Sequence, residues 1–262
     1  MVRQVDKAPR CIFLALFIVA AGVSVDIFLV RHGEMEFEDN TVIDLDLINS
    51  YATGAKEGPL SSKGVGQAKR VATFLLGKGV QSIYSSAFIR AKQTAEETSK
   101  ILGEPIEIFR DFGELNVGRL VPESEPRQAL VFKAFGTFHK ILPPLIGSTL
   151  TKRLLGYFFI VFYFGNWYAG KTVAGEPPEE AIKRIENVFK ALTERHGSSD
   201  KVAVFTHGYF IHLLVNHVLD PKRAPLRMLK TPYIRNGSIT HITRTRKGGW
   251  KVRAYAQTAQ LQ

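Results

Sequence analysis

The segment LVRHGE, Leu29 to Glu34, sets an arginine, a histidine and a glycine side by side at the end of the apolar run Asp26-Ile27-Phe28. A second arginine, Arg90, follows the hydroxyl pair Ser85-Ser86 by about one helical turn. A second histidine, His207, stands with Gly208 after the apolar run VAVFT, and Glu114 lies in the stretch DFGELNVGR. Gathered in one crevice, these residue types would do phosphoryl chemistry. Two guanidinium groups grip a phosphate dianion in bidentate fashion. A neutral imidazole attacks phosphorus and forms a covalent intermediate. A carboxyl group of raised pKa protonates the leaving alcohol and then takes a proton from the attacking water. Asp111, Glu123 and Glu125 are the rivals of Glu114 for that last role.

Such a crevice needs elements to build it. Val25–Val30 reads as a buried strand, and Ser61 or Ser62 as the N-cap of a helix with Val65, Ala68, Ala72 and Leu75 on one face, closed by Gly77 and Gly79. Val80–Tyr84 reads as a second strand, Ser86–Leu102 as a helix and Ile106–Phe109 as a third short strand. Pro177 and Pro178 open a helix with Ile182, Ile185, Phe189 and Leu192 at helical spacing, stopped by Gly197. Lys201–Thr206 is a buried strand, Gly208–Leu219 a helix, and strands near Gly237–Thr245 and Lys251–Tyr255 finish the chain with antiparallel character. Strands alternating with helices predict a three-layer α/β/α sandwich with a mostly parallel central sheet. In such sheets ligands bind beyond the carboxyl ends of the strands, where helix N-termini offer free N–H groups. Arg31-His32, Ser85-Ser86 and His207-Gly208 all fall at such ends.

With these blocks assembled, LVRHGE, PLSSKGVGQA, SIYSSAFIRAKQTA, the Glu of FGELNVG, and VFTHG, the chain resembles the histidine phosphatase superfamily in its phosphoglycerate mutase-like branch. The resemblance covers about residues 25–130 and 170–245, its five blocks in order. It implies that His32 is the phosphorylated nucleophile, that Arg31, Arg90 and His207 with Gly208 form the phosphate pocket, and that Glu114 is the proton donor. It also implies chemistry without a metal or cofactor. The acid-phosphatase branch places an Asp directly after its second histidine; here that position is Gly208, which favours Glu114. Members usually carry an Asn six residues beyond the nucleophile, where this chain has Glu38, with Asn40 as the nearest substitute. The stretch EMEFEDN also lacks the Trp-Asn pair of the mutases, so the resemblance implies a phosphatase. The rival readings are a mutase that returns the phosphoryl group to its substrate, and a non-catalytic, membrane-apposed binding protein.

Charge and composition set the context. The net charge is +11, no acid follows Asp220, and ten Lys or Arg lie between Lys222 and Arg253. That balance favours anionic partners, here a small phosphorylated substrate; no nucleic-acid module is recognisable, so none is expected as a partner. Arg3, Lys7 and Arg10 precede an apolar run from Cys11 to Val23 that ends in small residues. Residues 1–24 therefore read as a cleaved secretory signal, with an uncleaved N-terminal anchor as the alternative. The remainder, 25–262, reads as one domain with a variable cap inserted at about 120–172. Cys11 is the only cysteine, so a processed chain would have neither disulfide nor thiol chemistry. Two segments compete for other functions. GNWYAGKT, Gly165 to Thr172, fits the phosphate-loop pattern, but Pro177-Pro178 would cut short the helix that pattern needs. The aromatic run Leu154–Tyr168 reads as a cap helix packed on the domain, or alternatively as a surface that touches membrane. His139, His196, His212, His217 and His241 read as surface or packing residues. His212 and His217, off a common helix face, make no metal pair.

Overall fold

In a computed structural model of the chain, the residues described are 25–36, 57–120, 164–197, 199–219, 234–245 and 249–258. The N-terminal segment with Cys11, the stretch with Glu38 and Asn40, the greater part of the expected cap (Glu123, Glu125, His139 and residues 154–163 included) and residues 220–233 lie outside them.

Strand β1, Asp26–Arg31, is buried along its middle, as a strand covered on both faces must be. Its alternate side chains feed two cores. Ile27 and Leu29 join Tyr84, Val202 and Val204 on one face, while Phe28 and Val30 join Ile83, Ala203 and Phe205 on the other. The neighbouring strands are β2, Ser82–Ser85, β3, Ile106–Ile108, and β6, Lys201–Thr206. With β7, Ile239–Arg244, and β8, Trp250–Gln257, they form a six-stranded sheet of order β3-β2-β6-β1-β7-β8. The first four run parallel to one another, β7 pairs antiparallel with β1, and β8 antiparallel with β7. A separate two-stranded ribbon pairs β4, Arg119–Leu120, with β5, Thr172–Val173.

Helices α1, Ser62–Lys78, and α2, Ile89–Leu102, supply Val71, Leu75 and Ala95 to one face of the sheet. Helices α3, Pro178–Glu194, and α4, Gly208–Leu219, supply Ile185, Phe189, Phe210 and Leu213 to the other. The three-layer sandwich is therefore as the alternation of elements predicts. Ser61 caps α1 by accepting from the Gly64 N–H at 3.1 Å, and Gly79, at φ 69°, ends it in the left-handed conformation. The buried face of α1 differs from expectation in one residue. Val65 is 36% exposed, and Gly64 faces inward instead. A side chain at Gly64 would lie 2.0 Å from the Glu34 carbonyl oxygen, so α1 presses its bare backbone on the turn after β1. Helix α2 begins at Ile89, later than the expected Ser86, and α3 ends at Glu194, with Arg195 as its C-cap, before Gly197.

Candidate active site

The register of three adjacent strands builds the site. Arg31 pairs with Thr206 across β1 and β6, so the next residues, His32 and His207, leave the sheet side by side. Their rings sit edge to face with centroids 5.2 Å apart. Ser85 pairs with Phe205 across β2 and β6, which brings Ser86 beside them; its Oγ is 2.7 Å from His207 Nε2. In the first turn of α2, Arg90 donates from Nε to His32 Nε2 at 3.2 Å. Arg31, Arg90, His32, His207 and Glu114 thus come together at the carboxyl edge of the sheet, at the crossing of strands that α/β folds use for ligands.

His32 is 4% exposed and His207 fully buried. Burial, then Arg90 and Arg31, hold His32 well below the ordinary imidazole range, against the opposing pull of the Gly33 carbonyl. Burial, then Arg90 and the neighbouring His32, Arg31 and Arg184, lower His207 in the same way. Both rings are therefore neutral near pH 7. His32 Nδ1 donates to the Gly33 oxygen at 2.7 Å, which leaves the Nε2 lone pair facing Arg90. Arg90 is pushed down to about 10, chiefly by burial, and keeps its charge at neutral pH. His207 Nδ1 is buried without a hydrogen-bond partner. A pocket with two guanidiniums and two neutral imidazoles suits a tetrahedral dianion.

The turn after β1 is held rigidly. Gly33 donates to Thr94 Oγ1 at 3.0 Å, and the Thr94 hydroxyl donates to the Arg90 carbonyl, tying the turn to α2. A Cβ at Gly33 would meet the Gly64 oxygen at 2.6 Å, so only glycine lets α1 approach. From the loop before β7, Asn236 Nδ2 donates to the carbonyls of both His32 and Gly33 at 3.2 Å. Arg31 reaches the Ile234 carbonyl, and Gly208 lies against its guanidinium, where a Cβ would stand 3.3 Å from Nε. The sequence pointed to neither Asn236 nor Ser86 as a residue that holds an imidazole. The Asn-Gly-Ser run before β7 was the available signal.

Glu114 approaches from the loop after β3. Its Oε1 accepts from the N–H groups of Leu115 at 3.0 Å and Phe210 at 2.9 Å, and its Oε2 from Tyr209 at 3.3 Å. The N-terminus of α4, expected to serve the ligand, serves this carboxyl group instead. Burial raises the Glu114 pKa above its ordinary range, and the N–H donors, Arg31 and Arg90 oppose that rise. Oε2 carries the weaker contact and is the oxygen better placed to bear a proton. Glu57 does for α2 what Glu114 does for α4, accepting from Ile89 N–H at 3.1 Å.

The competing segments resolve physically. No helix starts at Gly170-Lys171-Thr172; Thr172 opens β5, so the phosphate-loop geometry is absent there. Of the aromatic run, residues 164–168 are described: Phe164 and Trp167 are buried in the core, with Phe164 stacked on Tyr209 of α4, and Tyr168 packs partly buried against it. His196, His212, His217 and His241 bond to Tyr84, Tyr255, Glu186 and Asp26, away from the site. Among the described residues no cluster of metal-ligating side chains occurs, and no helix is long and apolar enough to cross a membrane.

The sheet order β3-β2-β6-β1-β7-β8, with helices on both faces and a cationic pocket at its carboxyl edge, is that of an open α/β fold. The model of the histidine phosphatase superfamily (branch 1) matches residues 27–136 and 162–258, and the chain belongs to that family. It is 25% identical to a probable phosphatase of Schizosaccharomyces pombe over 221 residues, 82% of this chain and 64% of that protein. It is 34% identical to a probable phosphoglycerate mutase of Escherichia coli over 94 residues, 36% of this chain and 40% of the mutase. The chain thus spans less than two thirds of the length of these curated relatives. Among solved structures, a phosphoglycerate mutase from Bacillus anthracis superposes with a TM-score of 0.59 at 22% identity, covering 93% of this chain and 97% of that one. A mycobacterial glucosyl-3-phosphoglycerate phosphatase superposes with a TM-score of 0.58 at 16% identity, covering 88% and 98%. At these identities the likeness is one of fold.

Proposed function

We propose that the protein hydrolyses a phosphomonoester through a phosphohistidine at His32. The observation that carries this reading is the commitment of His32 Nδ1–H to the Gly33 carbonyl at 2.7 Å, in a ring that burial keeps neutral. The Nε2 lone pair is then available for attack. Binding of the substrate dianion gives the Arg90 guanidinium phosphate oxygens in exchange for His32 Nε2, and Arg31 and His207 complete the grip. The bond from Nε2 to phosphorus forms as the ester P–O bond breaks. Glu114 gives its proton to the departing alkoxide. The dianion beside Glu114 adds to the effect of burial in favouring the protonated carboxyl. The phosphorylated ring gains positive character, which strengthens the Nδ1–H contact to the Gly33 oxygen. Water then attacks phosphorus and yields its proton to the Glu114 carboxylate, and the P–N bond breaks to free neutral His32 and inorganic phosphate.

The similarity to phosphoglycerate mutases supports a second reading, in which the phosphoryl group returns to the organic substrate. Incubation with a phosphorylated sugar acid separates the two. Inorganic phosphate accumulates if water is the acceptor, and an isomeric phosphoester accumulates if the product is. Loss of all p-nitrophenol release from p-nitrophenyl phosphate in His32→Ala is expected under either. Equal release by wild type and His32→Ala, at the uncatalysed rate, contradicts both and favours the non-catalytic reading of this pocket.

A further inference from the structure

The loop that carries Glu114 is fastened on both sides by one ion pair. Arg184, on α3, donates from Nε and Nη2 to the two carboxylate oxygens of Glu176 at 2.6 and 2.8 Å. Its Nη1 donates onward to the carbonyls of Asp111 at 2.6 Å and of Gly113, next to Glu114, at 3.2 Å. On the other side of Glu114, the Glu176 N–H donates to the Asn116 carbonyl at 2.7 Å. Trp167, fully buried, anchors Glu176 in turn by donating from Nε1 to its carbonyl at 2.7 Å. The backbones here run so close that a Cβ at Gly175 would lie 2.6 Å from Gly118 N and 2.9 Å from the Asn116 oxygen.

This is more than a surface ion pair. The side chains of Arg184 and Glu176 are only 20% and 18% exposed, the contact is a two-pronged fork, and the remaining guanidinium nitrogen grips backbone. A planar guanidinium transmits geometry between its partners; a lysine at this place reaches only one of them. The route from α3 to the Glu114 carboxyl is thus short: Arg184, the Gly113 carbonyl, one peptide bond, Glu114. The backbone on either side of Glu114 is thereby held at Asp111, Gly113 and Asn116 together.

We infer that the Glu176–Arg184 pair is a positioning clamp for the Glu114 carboxyl, fixing it where a leaving-group oxygen meets it. The inference rests on the proposed role of Glu114 as proton donor. Misplacing a reacting group by about 1 Å costs as much as roughly 10²-fold in rate. The loss falls unevenly across substrates, because a phenolate of low pKa departs without a proton and one of high pKa does not.

The experiment is a leaving-group series. The kcat/KM values of wild type, Glu114→Gln, Arg184→Lys, Arg184→Ala and Glu176→Gln are measured on substituted phenyl phosphates from 4-nitro to 4-methoxy. Glu114→Gln is expected to lose about 10²-fold on the methoxy ester and far less on the nitro ester, steepening the dependence on leaving-group pKa. Arg184→Ala and Glu176→Gln are expected to steepen it in the same sense, by about tenfold on the methoxy ester, with Arg184→Lys between them and wild type. A merely structural role lowers all substrates alike, so parallel lines for the Arg184 and Glu176 variants beside a steep Glu114→Gln overturn the clamp alone. A flat Glu114→Gln line overturns the donor reading and the clamp with it. If Arg184→Ala fails to fold, Glu176→Gln, which keeps the side chain's size but removes its charge and one of the fork's two acceptors, decides the matter on the same plot.

Discussion

Removing the amide of Asn236 tests whether the turn after β1 prepares His32 for attack. Its Nδ2 donates to the carbonyls of His32 and Gly33 at 3.2 Å each, and the Gly33 carbonyl is the acceptor for His32 Nδ1–H at 2.7 Å. Each such bond contributes about 0.5–1.5 kcal/mol net, so Asn236→Ala forgoes about 1–3 kcal/mol. If that energy holds the Gly33 carbonyl in the ring plane, kcat/KM falls by about 5- to 140-fold, at about 1.4 kcal/mol per tenfold. Asn236→Asp is the harsher variant, since a carboxylate turns lone pairs on two carbonyl oxygens. The assay is kcat/KM on p-nitrophenyl phosphate, joined to the nitrogen-15 chemical shifts of the His32 ring, which report which nitrogen is protonated. Wild type is expected to show the proton on Nδ1, and Asn236→Ala a mixture of tautomers. An unchanged tautomer and a kcat/KM within about twofold of wild type, beside lowered thermal stability, would reduce Asn236 to a staple of the loop.

Three further outcomes follow from the same geometry. Ser86→Ala strips His207 Nε2 of its 2.7 Å partner, and a buried unsatisfied nitrogen costs about 1–3 kcal/mol, so inhibition by vanadate is expected to weaken by about tenfold or more; unchanged inhibition contradicts the contact. Gly33→Ala forces a Cβ to 2.6 Å from the Gly64 oxygen, and overpacking of this kind costs about 1–3 kcal/mol, read as a lowered urea midpoint; an unshifted midpoint shows that α1 yields freely. His32 and His207 both titrate below their ordinary range for reasons that begin with burial, so the folded chain refuses protons that the unfolded chain accepts. Their contribution is whole above pH 6.5 and is lost as pH falls below it; imidazole resonances that protonate at or above pH 6.5 contradict this.

What the sequence disclosed and what it withheld divide along the range of the contacts. Strand β6 and helix α4 have the expected bounds because apolar run, glycine and period coincide within a few residues. Arg31, His32, Arg90 and His207 were legible because each stands at a strand end, or one turn past it. Helix α2 starts at Ile89, after a turn in which the Phe88 N–H donates to Ser86 Oγ at 3.3 Å. Ser86 Oγ faces His207, and Glu57, from outside the local window, takes the Ile89 N–H. Val65 misled because the helical period places it inward, whereas Gly64, pressed on the Glu34 backbone, takes that place. The Asn236 and Arg184 contacts span 203 and 71 residues, so register and packing alone bring the partners together. Local pattern carries no trace of that.

The account stands most directly on the phosphorylation of His32. Brief incubation with a labelled phosphomonoester, quenched in alkali, is expected to trap a protein-bound phosphoryl group that survives base and is lost in acid, and that is missing from His32→Ala. Label that persists in His32→Ala, or that proves stable to acid and labile to base, would contradict it.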